Sequence, residues 1–273
     1  MNKNILVFGK GFIGKRIKES LDCAITEKRI NSFSDVVGQL DKFKPKIIIN
    51  CIGYTGKNNV DDCEQNKDKT LFANTYIPLL FAESALRKNI KLIHISSGCI
   101  YHFDYKKDKP IVESDQPNFF DLYYSRSKIY AEKTLTTLFK KANVLIPRIR
   151  IPLDNRPHPK NILTKLLSFE KIVDVPNSVT YLPDFMEMLK HLIKIDAKGV
   201  YNTVNKGSLR YPQLLEVYKK YKPDYQYQTM DAEDLNKTRT NLILSTKKLE
   251  EAGFKVKDIH EVLSECVKEY LKS

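Results

Sequence analysis

An apolar run that stops on glycines, "NILVFGKGFIG" at residues 4–14, constrains this chain more than any other stretch. The run predicts a buried strand over residues 4–9, and Gly9, Gly11 and Gly14 follow in GxGxxG spacing before a helical pattern. Glycines so spaced let the backbone turn tightly and approach a pyrophosphate, which then rests on the amide end of the helix. Alone, the motif reads equally well as a tight turn. Between a strand and a helix of an alternating chain, it predicts a dinucleotide site built from Gly9, Gly11, Phe12, Ile13 and Gly14.

The alternation is visible. Further apolar runs lie at 22–27, 46–53, 91–97, 143–150 and 199–204. Helical periodicity separates them, as at 68–88, where Leu71, Phe72, Leu79, Leu80 and Ala82 recur at helix spacing. Strands apolar on both faces predict a parallel sheet covered on both sides by helices, a doubly wound α/β fold of Rossmann type. After residue 150 the pattern turns irregular at "RIPLDNRPHPKN", and later helices are expected near 211–221 and 257–272. The reading is a dinucleotide-binding domain at 1–150, to which the strand near 199–204 returns, and a smaller, mainly substrate-binding lobe at 151–273.

Composition narrows the chemistry. A chain of 273 residues, 42% hydrophobic, is long enough for such a domain and its lobe. The five cysteines are odd in number, scattered and without a CxxC pair, which argues for reduced thiols and against a disulfide framework or zinc site. The histidines are dispersed too, so no metal is expected. No run of 18 apolar residues and no cleavable leader pattern is present, which predicts a cytoplasmic protein with no membrane partner. The net charge of +13 is spread along the chain, so an anionic small substrate is expected rather than nucleic acid.

The second strand ends in "TEKRI", where a dinucleotide fold meets the adenosine ribose. Glu27 there can accept from a ribose hydroxyl, and Lys28 and Arg29 can hold a 2′-phosphate, which favours NADPH and leaves NADH open. A solvated charge cluster is the equal alternative for each side chain. Further on, "YYSRSK" places Tyr124 and Lys128 four apart in a helix expected over 121–141. At that spacing both project from one face, and an ammonium beside a phenol favours the tyrosinate. Such a tyrosine can hand a proton to a carbonyl oxygen as hydride reaches its carbon. A Tyr and a Lys alone are usually just a helix surface.

A glycine turn, a serine at the end of a central strand, and YxxxK beginning 27 residues after Ser97 together resemble the extended short-chain dehydrogenase/reductase family over essentially the whole chain. The segments "GYTGKNNVDDCE", "SSGCIYHFD", "QPNFFDLYYSRSK", "RIRIPLDNRPHPKNILTK" and "VPNSVTYLPDF" narrow the resemblance to the 3,5-epimerase/4-reductases of UDP-rhamnose synthesis. More distantly they are similar to dTDP-4-dehydrorhamnose reductases and GDP-fucose synthases. Extended members usually carry GxxGxxG in the first turn, so the turn here is one residue shorter.

The resemblance implies Ser97 hydrogen-bonding a substrate carbonyl, Tyr124 as proton donor and Lys128 holding the nicotinamide ribose. It further implies a UDP-linked 4-keto-6-deoxyhexose as substrate, and leaves a homodimer open. The epimerising relatives carry a cysteine at the position of Cys99 and a Lys or His partner from the next lobe. Lys165 stands at the matching place, and His158 is the second candidate. A thiol suits the task, because inverting carbons 3 and 5 of a 4-keto sugar needs groups that exchange protons near neutrality. Mere packing is the ordinary alternative for Cys99. Asn74 matches an architectural Asn of the wider family, while Cys51, Cys63 and His94 read as packing residues. Two rival functions remain: a reductase only, acting on dTDP-4-dehydrorhamnose or a related sugar, and a non-catalytic dinucleotide-binding regulatory subunit.

Overall fold

The computed structural model describes residues 2–273 except 58, 139, 232 and 234–237. Strand β1 (Asn2–Phe8) feeds helix α1 (Phe12–Ser20), followed by β2 (Cys23–Thr26), α2 (Phe33–Phe43) and β3 (Ile47–Asn50). Short helices α3 (Asp62–Gln65) and α4 (Lys67–Leu71) lead through a π turn at Phe72–Tyr76 into α5 (Ile77–Lys88). Then come β4 (Lys91–His94), β5 (Ser96–Ser97), α6 (Tyr123–Thr137) and β6 (Val144–Ile149). The rest is shorter: β7 (Pro152–Leu153), α7 (Ile162–Leu166), β8 (Lys171–Val173), β9 (Thr180–Tyr181), α8 (Leu182–Lys194), β10 (Gly199–Asn202), α9 (Tyr211–Lys219), β11 (Gln228–Met230), α10 (Lys247–Glu251) and α11 (Ile259–Tyr270).

Local chemistry sets several boundaries. Ser32 and Asp35 exchange side-chain and backbone hydrogen bonds in a capping box that starts α2. Lys44 and Asn89, both left-handed, end α2 and α5.

The main sheet runs in the order β10-β6-β4-β3-β1-β2, with β5 paired to β6. β1 pairs in parallel with β2 and β3, β3 with β4, and β4 with β6. This is the doubly wound α/β sheet expected from the alternation. One face buries Leu6, Phe8, Ile48 and Leu92 under Val36, Phe81 and Ala85 from the helices. From β1 the chain moves outward to β2, then returns past β1 to β3, so the strand order reverses between β1 and β3. Ligands of such sheets bind at this reversal, outside the carboxyl ends of the strands.

Two compact units emerge. The first holds Met1–Ile100, Pro117–Arg148 and Leu189–Tyr201; the second holds Tyr101–Gln116, Ile149–Met188 and Asn202–Ser273. The second unit has its own core of Leu153, Leu163, Leu166, Tyr181, Leu214, Leu263 and Cys266. Two small parallel pairs, β7 with β9 and β8 with β11, belong to it. No helix among the described residues is long and apolar enough to cross a membrane.

Candidate active site

The glycine turn sits where the sheet order reverses. Gly9 takes φ +98°, and a Cβ there would meet the Cys51 carbonyl carbon and the Ile52 nitrogen at 2.8 Å. That closeness follows from pairing, since the Cys51 N–H donates to the Phe8 carbonyl at 2.8 Å. At Gly14 a Cβ would lie 1.9 Å from the Gly9 carbonyl oxygen. Gly11 differs: its φ is −77°, and nothing lies within 4 Å of where its Cβ would stand. It precedes α1 as the N-cap without a side-chain cap, and Phe12 and Ile13 open the helix. Two glycines therefore make the turn, and the third leaves space over an uncapped helix end. These are the features a bound pyrophosphate requires, so the residues fit a dinucleotide.

Beyond β2 the charged trio separates. Glu27 pairs with Lys10 at 3.5 Å, both exposed, and Lys28 pairs with Asp35 at 3.1 Å. Hydrogen bonds from the Asn31 N–H and from Lys28 hold the Asp35 carboxyl down at about 2. Arg29 is exposed and makes no ion pair with the described residues.

The central strands deliver the hydroxyls. Ser96 and Ser97 are neighbours on β5, and a strand sends successive side chains to opposite faces. The Ser96 hydroxyl donates to Glu132 at 2.9 Å, inside the protein. Glu132 also receives the Arg148 Nε at 3.0 and 3.2 Å, with Arg148 Nη2 on the same carboxylate. Ser97 instead accepts the Cys99 backbone N–H at 3.1 Å, which leaves its own O–H to donate. Cys99 is partly exposed beside it.

Helix α6 brings Tyr124 and Lys128 to the same unit. Its start is held by Glu64, which accepts the Tyr123 N–H at 2.5 Å. Both Tyr124 and Lys128 are buried, at 7% and 5% exposure. The Lys128 ammonium donates to the Ile95 carbonyl at 3.4 Å, in the gap between β4 and β5. Burial lowers its pKa to about 8, against an opposing pull from Glu132 and lesser ones from Cys51 and Cys99. Ser97, Cys99, Tyr124 and Lys128 thus lie in one unit, and Cys99 is among the groups whose charge acts on the Lys128 ammonium.

Asn74 ties the loop after β3 to this helix. Its amide oxygen accepts the Tyr54 N–H at 2.7 Å, and its nitrogen donates to the Tyr54 carbonyl at 2.9 Å and the Ser127 hydroxyl at 3.0 Å. Ser127 in turn donates to the Tyr124 carbonyl at 2.7 Å. Asn74 sits in the π turn, which aims it inward and buries it fully. His94, at the end of β4, meets the Asn50 amide at 3.1 Å, and burial pushes its pKa well down, so it is neutral. Cys63 is buried and Cys51 partly so, burial raising the Cys51 thiol out of the neutral range.

Lys165 and His158 belong to the second unit. Lys165 is half-buried on α7, its pKa lowered by burial and by the charges of Lys160 and Arg239. The His158 Nδ1 accepts the Lys160 N–H at 3.0 Å, which engages the ring in its own loop.

Sequence reasoning missed Glu132, Arg148 and Glu64. The first two left a signal: Glu132 is one turn after Lys128 on α6, and Arg148 is a charge inside an apolar strand. Glu64 left none, because a helix cap contributed from another helix has no local spacing. No group of three or more His, Cys, Asp or Glu among the described residues could hold a metal ion.

The chain is 30% identical to a bifunctional dTDP-4-dehydrorhamnose 3,5-epimerase/dTDP-4-dehydrorhamnose reductase of Arabidopsis thaliana, over 97% of this chain and 92% of that protein. It spans 40% of the length of a trifunctional relative from the same plant, at 29% identity. The crystal structure of the L780 UDP-rhamnose synthase from Acanthamoeba polyphaga mimivirus matches with TM-score 0.88 and 28% identity, over 97% of this chain and 98% of that one. A dTDP-4-dehydrorhamnose reductase from Bacillus anthracis, solved in complex with NADP, shares the fold with TM-score 0.82 at 20% identity, covering 100% of this chain and 99% of that one. The model of the family described as RmlD substrate binding domain matches residues 4–272, nearly the whole chain, and the chain therefore belongs to that family.

Proposed function

We propose that the chain is an NADPH-dependent reductase of a nucleotide-linked 4-keto-6-deoxyhexose that first epimerises carbons 3 and 5, converting UDP-4-keto-6-deoxy-D-glucose to UDP-β-L-rhamnose. The observation that carries the reading is a partly exposed Cys99 bonded through its backbone to Ser97 and close enough to Lys128 to act on its ammonium. Reduction alone calls for Ser97, Tyr124 and Lys128; a partly exposed thiol beside them suits a second proton-transfer task. The Arabidopsis relative carries both activities in its name.

The glycine turn would hold the pyrophosphate, and Arg29 would meet the 2′-phosphate that distinguishes NADPH. Bound there, NADPH would supply the hydride for carbon 4. Ser97, whose oxygen accepts the Cys99 amide, hydrogen-bonds the keto oxygen through its O–H without giving up the proton. Tyr124 gives that oxygen a proton as negative charge develops. Lys128 would hold the nicotinamide ribose, and its ammonium makes the phenol a better acid.

For epimerisation, Cys99 and a second group exchange protons at carbons 3 and 5 from opposite faces of the ring. Lys165 is the favoured partner, since burial and like charges draw its amine toward the neutral range. His158 is less suited, its Nδ1 being occupied within its loop. The test is to supply UDP-4-keto-6-deoxy-D-glucose with NADPH and identify the product sugar. L-rhamnose is expected; a product keeping the gluco configuration at carbons 3 and 5 leaves a reductase only.

A further inference from the structure

We propose that Glu132 is a positioning residue for the reduction: it anchors Ser96 so that Ser97 faces the site, and it sets a carboxylate charge one helical turn from Lys128. The inference rests on the reductase reading above. Glu132 and Arg148 form a pair with side chains only 3% and 2% exposed. A pair so buried is weak grounds for stability, because taking both charges out of water costs about what their attraction returns. Its position suggests a second use. Glu132 accepts from Ser96, the direct neighbour of Ser97 on a two-residue strand. Fixing one side chain of such a strand fixes the opposite facing of the next.

The charge matters separately. The groups that act on the Lys128 ammonium are Glu132 from α6, Cys51 after β3 and Cys99 after β5, and Lys128 in turn acts on neutral His94 at the end of β4. Glu132 is the carboxylate among them, and it opposes the burial that strips Lys128 of its proton. The Arg148 guanidinium lies against that carboxylate, its Nε donating at 3.0 and 3.2 Å.

Glu132→Gln keeps an acceptor oxygen for Ser96 and removes the charge. The alkaline limb of kcat/KM for NADPH oxidation with UDP-4-keto-6-deoxy-D-glucose is expected to move to lower pH by roughly one unit. In the ligand-free protein, the 13Cε signal of Lys128, assigned with Lys128→Met, should titrate at correspondingly lower pH. Ser96→Ala keeps the charge and loses the anchor, so kcat should fall about tenfold with the limb unmoved. An unmoved limb and an unmoved Lys128 titration in folded Glu132→Gln overturn the inference, as does full kcat in Ser96→Ala. If Glu132→Gln does not fold because Arg148 is stranded, Glu132→Gln/Arg148→Met removes the stranded cation and carries the same two measurements. Should the unmodified chain not oxidise NADPH with the keto sugar, the reductase reading fails on its own, while the ligand-free titration still decides the charge effect.

Discussion

Lys128 illustrates a conflict between folding and chemistry within one side chain. Its pKa is about 8 in the folded protein against an ordinary value of 10.5, chiefly because burial disfavours the ammonium. Between those pH values the unfolded chain holds a proton that the folded one has released, so stability rises with pH through that window. The penalty is fully present below it. Lys128→Met is therefore expected to unfold at higher denaturant than the unmodified protein at pH 7, by up to about 3 kcal/mol, with the gain shrinking toward pH 10.5. Equal midpoints at pH 7 would contradict this. Cys99→Ser tests the neighbouring thiol: without NADPH and in deuterated water, wash-in at carbons 3 and 5 should fall about 10²-fold, because a hydroxyl is a poor base at neutral pH. Reduction of a keto sugar supplied already inverted should persist. Normal exchange in Cys99→Ser makes the thiol a packing residue. At this scale the sequence is only partly readable, since Ser96 and Ser97 are chemically identical letters. What separates them is Glu132, which lies 36 residues away from Ser96 along the chain.

Elements with strong periodicity were the legible ones. The main strands stand out because burial on both faces makes them continuous apolar runs, and the glycine turn because its backbone admits no side chain. The π turn was invisible, for it inserts into the helical pattern of residues 68–88 without breaking its apolar spacing. Helix α8 also went unread, although Leu182, Phe185, Met186, Leu189 and Leu192 line its buried side. It begins directly at the end of β9, with no polar turn between them to mark a start. The glycine turn supports a paired expectation. Gly14→Ala should destabilise the protein by about 1–3 kcal/mol or more, since the added carbon overlaps a backbone oxygen that cannot swing aside. Gly11→Ala should leave thermal unfolding unchanged and weaken NADPH binding, because its methyl enters open space at the helix end. Calorimetry read beside cofactor titration separates the two. Equal cofactor affinity in Gly11→Ala would remove that space from the binding site.

The units of the whole molecule are not segments of sequence. The first takes in Leu189–Tyr201 after a long excursion, and the second takes back Tyr101–Gln116. The change of pattern divides the chain near residue 150 with the strand near 199–204 returning to the first part; what the pattern does not show is that the second unit takes back Tyr101–Gln116, because three-dimensional contacts follow the fold rather than chain order. A fragment of residues 1–150 lacks β10, the edge neighbour of β6. Its unpaired edge is expected to drive association, so size-exclusion chromatography should show aggregate and no monomer. A soluble, cooperatively unfolding fragment would show that β10 is dispensable. The same connection has a temporal side. About fifty residues separate the end of β6 from the start of β10. At roughly 5–20 residues per second on the ribosome, β6 waits several seconds for its neighbour to be made. During every round of synthesis the nascent sheet passes through an interval in which a hydrogen-bonding edge is open, and it is there that a chaperone would find this chain.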